Sequence, residues 1–303
     1  MKKQLHITGL LLLFTLSVFS QEEAPVKNWT RSGTATLNFS QSHLSNWAAG
    51  GENALNTTGR LIYQTNYAKN KTKWNNNIDL GLGYSILGDN KAIKTDDKIE
   101  LNSMYGVKAS DRLFYSLSFS FKSQFTDGFD YKKDSSTPIS KFFAPAYITL
   151  GLGLDWAASK HFEMNLSPAT ARITMVNDQR LADLGSFGVE GAKYDTAGLK
   201  IKDGKQSRFE FGGKFTAKLN VDLAKNVNFT SKLELFADYL KNIKNVDVDW
   251  QNLLTMKVNS WLNANITLHL IYDDDIKITD KDGNSGPRTQ FKEVISVGLS
   301  YKL

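Results

Sequence analysis

The chain has 303 residues, no cysteine and a formal net charge of +6, with both signs mixed along its length. The missing cysteine excludes a disulfide scaffold, a thiolate metal site and a cysteine-linked lipid anchor, and no basic run offers an arm for nucleic acid. Mean hydropathy is −0.34, which gives no hint of a membrane but does not exclude a membrane barrel, where half of each strand faces water or the lumen.

Residues 1–20 form a separate unit. A charged "MKK" precedes the apolar "ITGLLLLFTLSVF", the pattern of a secretory signal peptide cut near Ser20. No later stretch reaches the roughly 18 apolar residues of a membrane-crossing helix. Residues 21–32 read as a short periplasmic segment, and residues 33–303 as one domain.

From Gly33 onward the hydrophobic period is two. In "ATLNF", Ala35, Leu37 and Phe39 share a face. In "IDLGLGYSI", Ile78, Leu80, Leu82, Tyr84 and Ile86 stand against Asp79, Gly81, Gly83 and Ser85. "YSLSFSF" sets Tyr115, Leu117, Phe119 and Phe121 against three serines. "YITLGLGLDW" sets Ile148, Leu150, Leu152, Leu154 and Trp156 against Tyr147, Thr149, Gly151, Gly153 and Asp155. Such alternation marks strands with one apolar and one polar face. About twelve segments of this kind are long enough to cross a bilayer at a tilt. They centre near Leu37, Leu61, Leu80, Tyr105, Phe119, Leu152, Met164, Phe215, Leu233, Leu254, Leu268 and Val297.

The connections alternate too. "AKNKT", "KASDR", "AASK", "AKN" and "LNAN" are short. Those between them are long, except "KNIKN" near Asn242. Trp74, Trp156 and Trp250 fall near strand ends on the apolar face, where an interfacial aromatic girdle belongs. Val297, Leu299, Tyr301 and Leu303 keep one face apolar to the last residue. Together these features predict an all-β transmembrane protein, an antiparallel up-and-down barrel of about twelve strands. An even strand number puts both termini in the periplasm of a bacterial outer membrane.

Between the first two strands the alternation fails, in "SHLSNWAAGGENAL" from Ser42 to Leu55. Gly50 and Gly51 suit a tight turn. Asn46, Trp47, Gly50, Gly51 and Asn53 then read either as a capped hairpin or as a constriction or docking loop above the lumen. "SNWAAGGEN" also resembles a family of Bacteroidota outer-membrane proteins, domain of unknown function 3078. "WNNNIDLGLGY" and "LSPATARITMV" resemble it further along, so that the likeness spans most of the mature chain. The resemblance implies a compartment and a barrel, and brings no substrate and no site residues.

Three other patterns carry chemistry. His43 and Ser45, two apart on one strand face and next to Asn46, have the base–nucleophile spacing of outer-membrane phospholipase A. Asp280, Asp282 and Asn284 occupy positions one, three and five of a calcium-loop frame, but Ser285 and Phe291 stand where the frame needs glycine and glutamate. The polar strand faces carry charges of both signs, among them Arg60, Asp79, Glu100, Lys122, Asp155, Glu210, Lys214 and Glu234, which argue for internal salt bridges rather than a single-sign filter. The serines and glycines on those faces suggest room for a narrow water path. These readings imply no cofactor. Outer-membrane lipid and lipopolysaccharide are the expected surroundings, with a larger outer-membrane complex as a further partner. The function implied is a narrow channel or small-solute transporter. An accessory barrel subunit, or a lipid hydrolase using His43 and Ser45, stand as alternatives.

Overall fold

The computed structural model describes residues 28–44, 52–131, 133–279 and 284–303. Twelve strands form one closed antiparallel barrel. In chain order they are β1 Trp29–Ser42, β2 Ala54–Lys69, β3 Thr72–Leu87, β4 Ile93–Lys108, β5 Leu113–Ser123 and β6 Ala146–Trp156, followed by β7 Phe162–Met175, β8 Ser207–Ala224, β9 Val227–Asp238, β10 Val246–Lys257, β11 Leu262–Tyr272 and β12 Gln290–Lys302. Each strand pairs with its neighbours in sequence, and β1 pairs with β12 to close the ring. All twelve centres expected from the alternation fall inside these strands. β1 begins at Trp29, earlier than Gly33, because Trp29–Ser32 already pair with Gln64–Tyr67 of β2.

Closure leaves a single seam, and period two gives the wall two faces of opposite character. The outward face holds Leu37, Leu117, Phe119, Leu150, Leu152, Leu154, Val297 and Leu299, all exposed, with Leu152 at 57%. The inward face buries Asp79, Glu100, Ser116, Ser120, Asp155, Glu210 and Glu234. A soluble fold would bury the first set and expose the second. Here the arrangement is inverted, as a bilayer requires.

Short turns gather at one end of the barrel, with the N-terminal end of β1 and the C-terminal end of β12. Trp29, Trp74, Trp156 and Trp261 lie near this end and are exposed on the outside. Trp29 stacks at 5.1 Å on Tyr67 and 5.8 Å on Trp74, and Trp74 Nε1 donates to Ser103 Oγ at 2.7 Å. Trp74 and Trp156 of the girdle expected from the sequence lie here, joined by Trp29 and Trp261, which were not expected. Trp250 also faces outward, inside β10 rather than at its tip.

The other end carries the long connections. Between β7 and β8 the chain makes a five-residue helix, α1, at Gln179–Asp183, capped by Asp178, whose carboxylate accepts from Leu181 N at 3.0 Å. Leu181, Ala182, Val176 and Val189 pack with Ala144 from the β5–β6 connection into a small apolar core, against which Phe187 rests. This cap lies over part of the barrel mouth on its own core rather than as a bare loop.

Inside the wall, β7 carries a bulge. Pairing to β6 and β8 shifts between Leu152 and Leu154 and between Gly212 and Lys214. The extra residue lies at Ser167–Ala169 around Pro168, which has no N–H to give to a ladder. The bulge resets the phase, so that Asn165 and Ser167 point inward before it and Thr170 and Thr174 after it.

Candidate functional site: a charged septum across the lumen

At mid-height the lumen is crossed by side chains that meet from opposite walls. Lys122 of β5 reaches across to β9 and β10, with Nζ 2.6 Å from Glu234 Oε2 and 2.8 Å from Asp249 Oδ2. Glu234 is also met by Lys214 Nζ at 3.2 Å and Lys232 Nζ at 3.1 Å. Lys232 extends to Glu100 of β4 at 2.7 Å. Lys98 of β4 contacts Glu100 at 2.9 Å and Asp79 at 2.6 Å, and donates to Gln251 Oε1 on β10 at 3.2 Å. β4 and β10 stand opposite each other in the ring of twelve, so this bond crosses the full diameter. His269 Nε2 and Gln251 Nε2 lie 2.9 and 3.0 Å from Asp249 Oδ1.

Nearer the short turns a second crossing joins Lys73 of β3 to Asp155 of β6. Beside it Asn165 Nδ2 donates to Ser116 Oγ at 2.8 Å. On the long-connection side, Arg172 grips Glu210 with two bonds of 2.8 and 2.5 Å and also Asp247 at 2.5 Å, its guanidinium 4.0 Å over the Phe236 ring. Bidentate pairing of this kind fixes both partners. Between septum and cap lies a vestibule of about 610 Å³, with Glu100, Lys122, Glu234 and Gln251 at its floor and Phe187 and Tyr272 in its walls.

The small residues do not leave the space expected of them. A Cβ on Gly153 would lie 2.0 Å from the Leu166 carbonyl oxygen, which the bulge pushes against it, and one on Gly151 2.8 Å from Ser118 Oγ. These glycines permit close packing of the wall. Gly81 is different, with no atom nearer than 3.4 Å to such a Cβ.

Of the residues singled out in the sequence, Arg60, Asp79, Glu100, Lys122, Asp155, Glu210, Lys214 and Glu234 do form internal salt bridges. Lys98, Arg172, Asp249, Gln251 and His269 belong with them and were missed. For Lys98, Asp249 and Gln251 the i, i+2 pattern held the signal. For Arg172 the bulge hid it. Asn53 accepts from Leu44 N at 2.7 Å, which ties the ends of the first connection together. Ser45, Asn46, Trp47, Gly50 and Gly51 lie outside the described residues, as do Asp280 and Asp282 and the N-terminal stretch 1–20 expected to be a signal peptide. His43 is described, just past the end of β1. Among the described residues Asp247, Asp273 and Asp274 bring carboxylates within 4.8 Å of one another. Arg172 already pairs with Asp247 and Asn245 donates to Asp274.

A closed twelve-strand wall, apolar outside and charged inside, defines a membrane-spanning β-barrel of the outer-membrane type. The family model described as a protein of unknown function (DUF3078) matches residues 39–129. It is the family that "SNWAAGGEN" and "WNNNIDLGLGY" resemble, and the match ends before Leu166–Val176. No curated protein matches the chain. Among solved structures, the translocator domain of autotransporter NalP from Neisseria meningitidis is 12% identical, over 90% of this chain and 88% of that one, with a TM-score of 0.37. An outer membrane channel from Pseudomonas putida F1 is 9% identical, over 93% and 100%, at 0.41. The NanC porin is 11% identical, over 89% and 100%, at 0.38. Likenesses of this size do not say what the chain does.

Proposed function

We propose that the protein is a narrow, gated outer-membrane channel for small polar solutes, closed at rest by the septum and oriented with both termini in the periplasm. The observation that carries this reading is the crossing of the lumen by Lys122, Lys98 and Lys232 to acceptors on far strands. The septum is built from flexible lysines rather than from a packed apolar plug. Each lysine has more than one acceptor within reach, so a bond lost on one side can be replaced on another. Mixed signs make such a path weakly selective between anions and cations. The orientation follows from the gathering of long connections at one end, the end that faces outward in barrels of this kind. The first connection enters the reading as a lumen cover, and Trp47→Ala then raises flux.

Liposome swelling tests the proposal. Wild-type vesicles should swell slowly in a small neutral sugar, and vesicles carrying Lys122→Ala with Lys98→Ala should swell several-fold faster. Equal, background-level swelling of both would refute a gated pore. It would favour an accessory barrel that docks on a larger assembly, which the closed lumen also suits. A chain acting as a lipid hydrolase would instead show lipid turnover that disappears in Ser45→Ala.

A further inference from the structure

The ring of strands is not equally closed all round. β2 pairs with β3 along the whole of both strands, from Ala54–Leu87 to Lys69–Thr72. β1 and β12 pair only from Thr34–Lys302 to Phe39–Val297. Towards the long-connection end the two strands then part. Gln290–Leu299 remain bonded to β11, and Ser40, Gln41 and Ser42 remain bonded to β2. Beyond them Leu44 N turns to Asn53 Oδ1 at 2.7 Å, away from β12. If the register continued, Ser40 would face Ser296 and Ser42 would face Val294, but among the described residues no strand pairs with that edge of β12. Backbone groups without a partner are costly in hydrocarbon, which marks this part of the seam, as far as the described residues go, as the weakest place in the wall.

Three features of the wall say what the gap admits. It opens into the vestibule, since Gln290 and Lys292 line that cavity. It is barred from within by an ion pair, because Lys292 Nζ reaches past β1, β2 and β3 to Asp96 Oδ1 on β4, at 2.6 Å. On its outer side, Phe291 and Ile295 are exposed (Ile295 at 69%), the exposed Glu293 stands between them, and a shallow apolar groove of about 680 Å³ runs over Leu37, Leu61, Leu82 and Leu299 beside the paired part of the seam. Apolar contacts on the outside, an acid and a base at the same height, and a polar chamber behind match one class of molecule.

We infer that the β1–β12 seam is a lateral portal through which an acyl-chain amphiphile passes between the outer part of the bilayer and the vestibule, with Lys292–Asp96 as its latch. The chain of the amphiphile lies along the groove and its head enters beside Lys292. Passage needs no opening of the septum, so the portal stands or falls separately from the channel.

The test uses the full chain in bilayers of phosphatidylcholine carrying a photoreactive diazirine on one acyl chain. A two-chain lipid has almost no free concentration in water, so it reaches the vestibule only from the bilayer. Mass spectrometry then maps the adducts. The wild type should give adducts at lumen-facing Thr149 or Tyr147 as well as at outward-facing Leu150 and Leu152. Lys292→Ala should raise the lumenal adducts several-fold. Because the chain has no cysteine, Ser40→Cys with Ser296→Cys, one step beyond the last pair Phe39–Val297, gives one defined bridge that draws the seam together. Oxidation should abolish the lumenal adducts and reduction restore them, with the Leu152 adducts unchanged as proof of a folded, lipid-embedded barrel. Lumenal adducts absent from both wild type and Lys292→Ala, or present regardless of the bridge, would overturn the portal.

Discussion

The two faces of the same strands obey different rules. The outward face is specified one residue at a time, because every other side chain need only be apolar to suit hydrocarbon. The inward face is specified by partners, some on the next strand, as Arg172 with Glu210, and some three to six strands away, as Lys73 with Asp155 and Lys98 with Gln251. An outward residue is therefore replaceable by any apolar neighbour in size, whereas an inward charge has meaning only together with residues distant in sequence.

The largest expected effect breaks the outward rule. Leu152→Arg should cost about 2–4 kcal/mol near the bilayer midplane, and Thr149→Arg, which lines the polar vestibule opposite Arg172, less. Folding titrations in lipid vesicles measure both, and equal costs would reverse the facing of β6. A second test separates close packing from spare room on the inward face. Gly153→Ala should cost about 1–3 kcal/mol through overpacking against the Leu166 backbone, and Gly81→Ala almost nothing, since its Cβ meets only ordinary contacts. A tolerated Gly153→Ala would mean that the bulge yields.

The inward charges come next. Glu234→Gln leaves Lys122, Lys214 and Lys232 converging on a neutral group. Breaking a fully buried pair costs about 3–5 kcal/mol; water in the lumen screens these charges, so an effect on the order of 1–2 kcal/mol is expected, read from the same titrations. Lys122→Met with Glu234→Met, which removes both signs, should cost less than Glu234→Gln alone.

The barrel was legible in the sequence because period two, short turns and tryptophan placement are local signals that a bilayer makes strict. All twelve strands follow from them. The inward charges were legible as a population: mixed signs announced salt bridges. Their pairing was not, because nothing local tells Lys122 that its acceptors lie on β9 and β10. Arg172 was lost for a different reason. The bulge at Pro168 flips the parity of everything after it in β7, and alternation counted from Met164 puts Arg172 on the same phase as residues that in fact precede a reset. The glycines misled because a missing side chain marks either empty space or backbone crowding, and only neighbours in space distinguish the two.

The smallest effect concerns the cap rather than the wall. Lys200, with Nζ 2.8 Å away, together with Gln179 and the Gly204 N–H, holds the Asp183 carboxyl down to about 2. A carboxyl lowered on folding stabilises the cap above its unfolded value of about 4, and that contribution disappears as pH falls from there towards the folded value. Protease resistance of the 177–206 connection should therefore hold from pH 7 to about 4 and decline below it, using a protease active in acid. Asp183→Asn should show the weakened resistance already at neutral pH.

Single-channel recording in planar bilayers tests most directly whether charge pairs between opposite walls shut the lumen. Wild-type protein should stay closed, with rare and small openings. Lys122→Ala with Lys98→Ala should conduct steadily, several-fold above wild type, while a variant of the outward face such as Leu152→Ala should behave as wild type. A wild-type barrel that conducts steadily, at the level of the double variant, would contradict the account, because a septum that does not block ions is not a septum.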